Sequence, residues 1–225
     1  MYTAEYVPPT LVVDSVIFQL IDGELNVLLI QRGADPFKDW WALPGGYCAA
    51  GETTQGAMAR ILERKGGITI KQLQHIEQLY TFDTVARDPR GHAVSVSYMG
   101  IGLDLAPQQG SHTQQPHFFP LSALPDLAYD HKDIIEYART RLAAKLSYTN
   151  VIFALLPPTF TLTQVQAAYE AVLGRELDKR NFRKKFLSFD LIQETDEMLR
   201  EGPHRPARLF RFKTNGLQHL TTRFD

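Results

Sequence analysis

The chain holds a single cysteine, Cys48, so no disulfide can form within it, and packing is the expected role of the lone thiol in a reducing compartment. It has no run of about 18 apolar residues, so no membrane-spanning helix is expected. The N-terminus lacks the basic and apolar regions of a signal peptide, and we expect a cytoplasmic protein without a membrane partner. The seven histidines show no paired spacing with cysteine or carboxylate that would make a metal site. Net charge is nearly absent too, at −1 over 225 residues. It conceals an asymmetry: residues 151–225 hold 12 Lys+Arg against 9 Asp+Glu, and residues 1–150 hold 12 against 16. An acidic first part and a basic-patched second part point to a nucleic-acid partner for the second. With 44% hydrophobic and 22% charged residues the composition is that of an ordinary globular chain.

The pattern along the chain is strand-rich at first. Leu11 to Phe18 is β-branched and apolar, Asp22-Gly23 is a hairpin turn, and Leu25 to Arg32 returns as the partner strand. The segment Trp40 to Ile68, WWALPGGYCAAGETTQGAMARILERKGGI, follows. It reads as an extended piece, a turn at Leu43-Pro44-Gly45-Gly46 in which glycine permits φ > 0 and close approach to a ligand, and a helix from Thr53 to Lys65 stopped at Gly66-Gly67. Further strands are expected over Leu73–Thr81 and Ala93–Ile101, either side of the turn Arg87-Asp88-Pro89-Arg90-Gly91. Residues 106–117 form a polar loop, and His131 to Leu146 forms an amphipathic helix with Ile134, Ile135, Tyr137, Ala138, Leu142 and Leu146 on one stripe.

The glycine loop and helix resemble the Nudix hydrolases, whose signature is G-x5-E-x7-R-E-U-x-E-E-x-G-U with U aliphatic. Gly46, Glu52, Arg60, Leu62, Gly67 and Ile68 fall on its positions. Three glutamates do not: Ile61, Arg64 and Lys65 stand in their places. In the family those carboxylates hold a divalent metal against substrate phosphates. The resemblance therefore implies a Nudix domain that keeps its frame, has lost catalytic and metal residues, and senses a ligand. The flanking runs "LLIQRG…PF…WALPGG" and "YTF…RDPRG…VSYMG" resemble Nudix domains acting on ADP-ribose and their regulatory relatives. Arginine suits phosphate because its planar donors match the oxygens in pairs. The candidate ligand residues are Gly45, Gly46, Arg60, Arg64, Arg87, Asp88 and Arg90 for the pyrophosphate side, with Arg32 and Trp41 for the rest of a nucleotide; Arg64 is the candidate to replace the metal as counter-charge.

The last third changes character. Pro157-Pro158 stops one segment, Thr161 or Thr163 caps a helix ended by Gly174, and Asp178 caps a second helix from Lys179 to about Phe189. That second helix opens with five cations in seven residues, Lys179 to Lys185, and Leu187 and Phe189 join Phe182 and Phe186 as apolar anchors. Helix, glycine turn and basic helix match a helix-turn-helix, and two short strands around a basic tip supply a wing. Lys179, Arg180, Asn181, Arg183, Lys184 and Lys185 are the candidate DNA-facing residues, with His204, Arg205 and Arg208 on the wing. "LDKRNFRKKF" and "PARLFRF" resemble the Nudix-related transcriptional regulators of the NrtR type. The expected fold class is α+β: a Nudix α/β/α sandwich with a mixed sheet over residues 1–147 and a winged helix-turn-helix domain over 148–225. The resemblance implies a bacterial homodimer that represses NAD-metabolism genes from an inverted-repeat operator, is not an enzyme, requires no cofactor, and releases DNA on binding ADP-ribose or a related NAD metabolite. Two alternatives share this layout: an active ADP-ribose pyrophosphatase using Glu63 with a loop carboxylate, and a sugar-responsive regulator.

Overall fold

The computed structural model describes residues 7–108, 116–200, 206–221, 223 and 224. Strand β1 (Thr10–Ile21) turns through Asp22-Gly23 into β2 (Glu24–Gln31), and both turn residues take positive φ, 51° and 81°, as a tight hairpin requires. Two short strands follow, β3 (Trp41–Ala42) on β2 and β4 (Gly45–Tyr47) on β1. Beyond helix α1 (Thr54–Ile61), strands β5 (Leu73–Phe82), β6 (Ala93–Gly102) and β7 (His117–Pro120) complete one sheet. Its path runs β3-β2-β1-β6-β5, with β4 also on β1 and β7 also on β2. The pairing of β1 with β6 is parallel and the other strand pairings are antiparallel, so the sheet is mixed as expected.

A sheet covered on both faces needs central strands that are apolar on both. Alternation along β1 divides its side chains: Val13 and Ile17 join Met58, Ile61 and Leu62 beneath α1, whereas Val16 and Phe18 join Ile134, Ile135 and Leu142 of α2 (His131–Leu146). Tyr137, expected on the same stripe of α2, is 36% exposed. It lies at the flank of the buried face and packs instead on Tyr80 and Phe82 of the edge strand β5, with ring centroids 5.0 and 5.7 Å away.

The helix expected over Thr53–Lys65 is two pieces. Thr53 caps α1 through a hydrogen bond accepted from the Gly56 N–H, and after Ile61 the chain widens into a π-turn, Leu62–Gly66, before Gly67 reverses it at φ 64°. Such turns are rare and concentrate at functional sites.

A buried turn of 3₁₀ helix, Val151–Leu155, leads into α3 (Leu162–Leu173), α4 (Lys179–Ser188) and the hairpin β8 (Ile192–Leu199) and β9 (Ala207–Phe212). Thr161 caps α3 in a reciprocal box with Gln164, Gly174 ends it at φ 66°, and the Asp178 carboxylate accepts from the Asn181 N–H at 2.8 Å. Phe160 exchanges backbone bonds with Phe210 at 2.9 and 2.7 Å, adding a third strand segment to the wing. Tyr169, Phe182 and Phe186 are buried together, the two phenylalanine rings stacked at 5.7 Å. Leu187, expected as an anchor beside them, is 46% exposed because its place on the helix faces away from α3.

One apolar cluster runs from the α2 side of the sheet into the helix-turn-helix, with α2 packed on α3. The chain's last described residues bind the connection between the two parts. The Leu220 N–H donates to the Tyr148 carbonyl and the Phe224 N–H to the Ser147 carbonyl, each at 2.8 Å, while the Phe224 ring lies against Tyr169 and Phe182. Among the described residues no helix is long and apolar enough to cross a membrane.

Candidate functional site

A cavity of about 290 Å³ opens where β1, β4, α1 and the start of α2 meet. Five cations line it, Arg32, Arg60, Lys65, Arg87 and Arg90, against two carboxylates, Asp14 and Asp88. Such a surplus of positive charge in a partly enclosed site favours an anionic ligand.

The glycines contribute closeness rather than the positive φ expected of them. Gly45 and Gly46 are extended strand, paired with Asp14 and Val13 of β1. A Cβ on Gly45 would stand 1.9 Å from Asp14 Oδ1, so glycine leaves the room that the Asp14 carboxylate occupies.

Asp14 is the centre of a buried network. Its carboxylate accepts from Ser95 Oγ at 2.6 Å and from the Arg87 guanidinium at 3.3 Å, and Arg87 is bidentate to Asp130 at 2.8 and 2.7 Å. Burial opposes the Arg87 charge, but the bonds to Asp130 and the field of Asp14 outweigh it and hold the guanidinium more firmly protonated than usual. The Leu43 N–H donates to His131 Nδ1 at 2.9 Å, which puts the ring proton on Nε2, 3.5 Å from Asp14 Oδ1. Burial lowers the His131 pKa further below neutrality, so the ring is an uncharged wall of the pocket. Arg87, expected at a hairpin turn facing ligand, is thus 8% exposed and largely committed to two carboxylates.

Arg60 is similarly engaged. Its guanidinium grips Glu52 with bonds of 2.7 and 2.6 Å, and the Ala49 N–H donates to the same carboxylate at 3.0 Å. Hydrogen bonding from Arg60 first, then from Ala49, pulls the Glu52 pKa down to about 2. Arg90 is bidentate to Asp88 at 3.0 and 2.7 Å and lies 5.9 and 5.8 Å from the ring centres of Tyr47 and Tyr129. Arg32 donates to the carbonyls of Pro36 and Ala34 and sits 4.8 Å from the Tyr129 ring. Tyr47, 57% exposed at the cavity wall, supplies a flat aromatic face.

Two candidates fall elsewhere. Trp41 is not part of the lining; half-buried, its ring packs edge-on to Phe119 at 4.6 Å against the core on the α2 side. Arg64 is exposed and outside the cavity, as is Glu63. Ile61, at the end of α1, and Lys65, in the π-turn, line the cavity in their stead, and Lys65 Nζ donates to the Gly45 carbonyl at 2.6 Å. Burial, then the nearby Arg32, pulls the Lys65 pKa below its ordinary value.

The residues present do not fit the divalent ion that Nudix hydrolases hold here. Hard cations take carboxylate oxygens, and the inward box positions offer an isoleucine methyl and an ammonium, with both Glu52 oxygens already accepting hydrogen bonds. Among the described residues no three His, Cys, Asp or Glu side chains gather to hold a metal.

The second candidate surface is α4. Phe182 and Phe186 fix its inner face, so Lys179, Arg180, Asn181 and Lys184 stand exposed on the outer one. Arg183 turns inward and donates to Thr163 Oγ1 at 3.1 Å, tying α4 to α3, and Lys185 lies 5.8 Å from the Phe189 ring. Arg208 on β9 is ion-paired with Glu194 across the hairpin. His204 and Arg205 lie outside the described residues, as do residues 109–115 of the polar loop.

Sequence reasoning passed over Asp14, Tyr47, Tyr129 and His131 as site residues. Asp14 carried a signal, a carboxylate inside an apolar strand, LVVDSVIF, where an unpaired charge would be costly.

Fold and site together define a Nudix domain carrying a winged helix. A NUDIX domain model matches residues 10–138, and a model of the NrtR DNA-binding winged helix domain matches residues 152–212. The chain is 40% identical over 215 residues to the ADPR responsive transcriptional repressor NtrR of Acinetobacter baylyi, covering 93% of this chain and 84% of that protein. It superposes on the crystal structure of Shewanella oneidensis NrtR complexed with a 27mer DNA with a TM-score of 0.80 at 32% identity, covering 96% and 99% of the two chains. The Nudix domain of the same Shewanella protein complexed with ADP ribose matches with a TM-score of 0.57 at 33% identity, covering 63% of this chain and 94% of that one. The chain belongs to the NrtR family of Nudix-related transcriptional regulators.

Proposed function

We propose that this protein is a transcriptional repressor whose Nudix domain binds ADP-ribose, or a close NAD metabolite, without hydrolysing it, and thereby releases DNA. The observation that carries the reading is the cavity itself: a glycine-walled, cation-rich Nudix pocket with an ammonium where a metal carboxylate would stand, on the same chain as the exposed basic face of α4. ADP-ribose offers two phosphates to the cations and an adenine to Tyr47. The A. baylyi and S. oneidensis relatives support it by their names and ligands. The residues proposed to meet the ligand are Arg32, Gly45, Gly46, Tyr47, Arg60, Lys65, Arg90 and Tyr129. Those proposed to meet DNA are Lys179, Arg180, Asn181 and Lys184, acting in a homodimer on an inverted repeat with half-sites about 34–36 Å, one helical turn, apart or a multiple of it. The division between the two working parts falls near residues 147 and 148, with NAD-metabolism genes as targets.

Incubation with ADP-ribose and Mg²⁺, read by binding heat and by chromatography of the recovered nucleotide, tests this. Saturable heat with intact ADP-ribose is expected. Release of AMP and ribose 5-phosphate would make the protein an enzyme and refute the reading.

A further inference from the structure

We infer that Asp130 and the effector's pyrophosphate compete for the guanidinium of Arg87, which makes Asp130 the positioning residue that ties the pocket to α2. This rests on the proposed ADP-ribose reading and extends it to how occupancy of the pocket reaches the DNA-binding part.

Arg87 lines the cavity, and the start of α2 holds it. Its Nε and Nη2 donate to the two Asp130 oxygens at 2.8 and 2.7 Å, and Nη2 also reaches Asp14 at 3.3 Å. A guanidinium takes phosphate and carboxylate through the same paired geometry, so one can replace the other as its partner. Asp130 is the carboxylate with an alternative. It stands at the N-cap of α2 yet caps nothing with its side chain, whereas Thr53, Thr161 and Asp178 accept the capping bond at α1, α3 and α4. Its backbone, at φ −91° and ψ 19°, is turned away from the extended form of a capping residue. Tyr129 before it takes φ 57°, a costly conformation for a residue with a Cβ, and its ring is pinned by Phe37 at 4.9 Å and His131 at 5.3 Å. Transfer of Arg87 to a phosphate frees the Asp130 carboxylate for the first-turn N–H groups of α2 and lets this strained junction relax. Helix α2 packs on α3 and α3 on α4, so a shift at the junction is passed to the basic helix.

The test is fluorescence anisotropy of the full chain on a duplex that the wild type selects from a random pool, with and without saturating ADP-ribose. Calorimetry sets the saturating concentration for each variant, and thermal unfolding shows whether each is folded. Wild type should lose about 5- to 150-fold in DNA affinity when ADP-ribose binds, the usual range of coupling between two sites. Asp130→Asn keeps the size and the capping ability but not the charge that holds Arg87, and should cut that factor to about twofold or less. Glu136→Gln, which breaks the Glu136–Arg139 pair on the outer face of α2, should leave it at the wild-type size. Arg87→Lys, which keeps the charge but not the paired geometry, should act as Asp130→Asn does and carries the test if that variant fails to fold. A wild-type factor in the variant that carries the test, an equal loss in Glu136→Gln, or an Asp130→Asn chain that folds but no longer binds ADP-ribose overturns the inference and leaves the proposed function standing. Wild type that binds no ADP-ribose, or binds it with no effect on DNA, overturns both.

Discussion

Gly45→Ala is the sharpest perturbation the structure offers. The new methyl would sit 1.9 Å from Asp14 Oδ1 and 3.1 Å from the Val13 carbonyl oxygen, so the carboxylate has to move by more than 1 Å. It has nowhere comfortable to go, because Ser95 holds it at 2.6 Å and Arg87 at 3.3 Å, with side-chain exposures of 6% for Asp14 and 4% for Arg87. Breaking a buried charge pair costs about 3–5 kcal/mol, and Arg87 keeps Asp130, so the lower figure applies. With a urea slope of about 3 kcal/mol per molar for a chain this size, the midpoint should fall by about 1 M. Urea unfolding followed by the fluorescence of Trp40 and Trp41 reads it directly. Gly33→Ala is the control: no atom lies within 4 Å of its Cβ position, and it should stay within about 0.5 kcal/mol of wild type. In an Asp14→Ala background the obstructing oxygen is gone and Gly45→Ala should become nearly neutral. Equal midpoints for Gly45→Ala and Gly33→Ala, or a full cost persisting in the Asp14→Ala background, would refute the reasoning.

Other consequences follow from single contacts. Glu77 loses solvent, which opposes its charge, but bonds from His75 and Lys145 prevail and bring its pKa from 4.5 to about 2. Its folded value lies below its unfolded one, so its contribution is present above pH 4.5 and lost as pH falls toward about 2. Glu77→Gln should therefore lower the melting temperature at neutral pH and converge on wild type in acid, as scanning calorimetry across pH would register. Lys184→Ala should weaken binding to all duplexes alike and reduce the salt slope by about 0.9, one phosphate contact, in a fluorescence-anisotropy titration. Asn181→Ala should lose about 1–3 kcal/mol of discrimination between cognate and scrambled DNA, and an equal loss on both would deny it a base-reading role. Phe186→Ala should destabilise the chain by about 3–5 kcal/mol in denaturant, since its ring is fully buried against Tyr169.

Much of this was legible in the residues. The Asp22-Gly23 hairpin, the α2 boundaries and the caps at Asp178 and Gly174 follow from local chemistry, and the structure has each where the pattern put it. The site was harder because it depends on which way a side chain leaves the backbone. Arg64 and Lys65 are adjacent cations at the same pair of signature positions, and in the π-turn that holds both it is Lys65 that lines the cavity while Arg64 is exposed. Trp41 and Tyr47 posed the same problem on strands, where a pleat sends one aromatic to the core and leaves the other at the cavity. The Asp14–Arg87–Asp130 network joins residues 73 and 43 apart in sequence, a distance at which pattern reading has no purchase.

Helix α2 belongs to both halves of the molecule, since His131 is a wall of the cavity at one end and the helix also packs on α3. A single rigid element shared in this way ties two binding equilibria together, and such a tie is reciprocal. Whatever factor the pocket's occupant takes from the affinity for DNA, bound DNA takes from the affinity for the occupant. A copy seated on its operator is then a blunter sensor than one free in solution, and the concentration at which the switch responds depends on the hold of the operator as well as on the cavity.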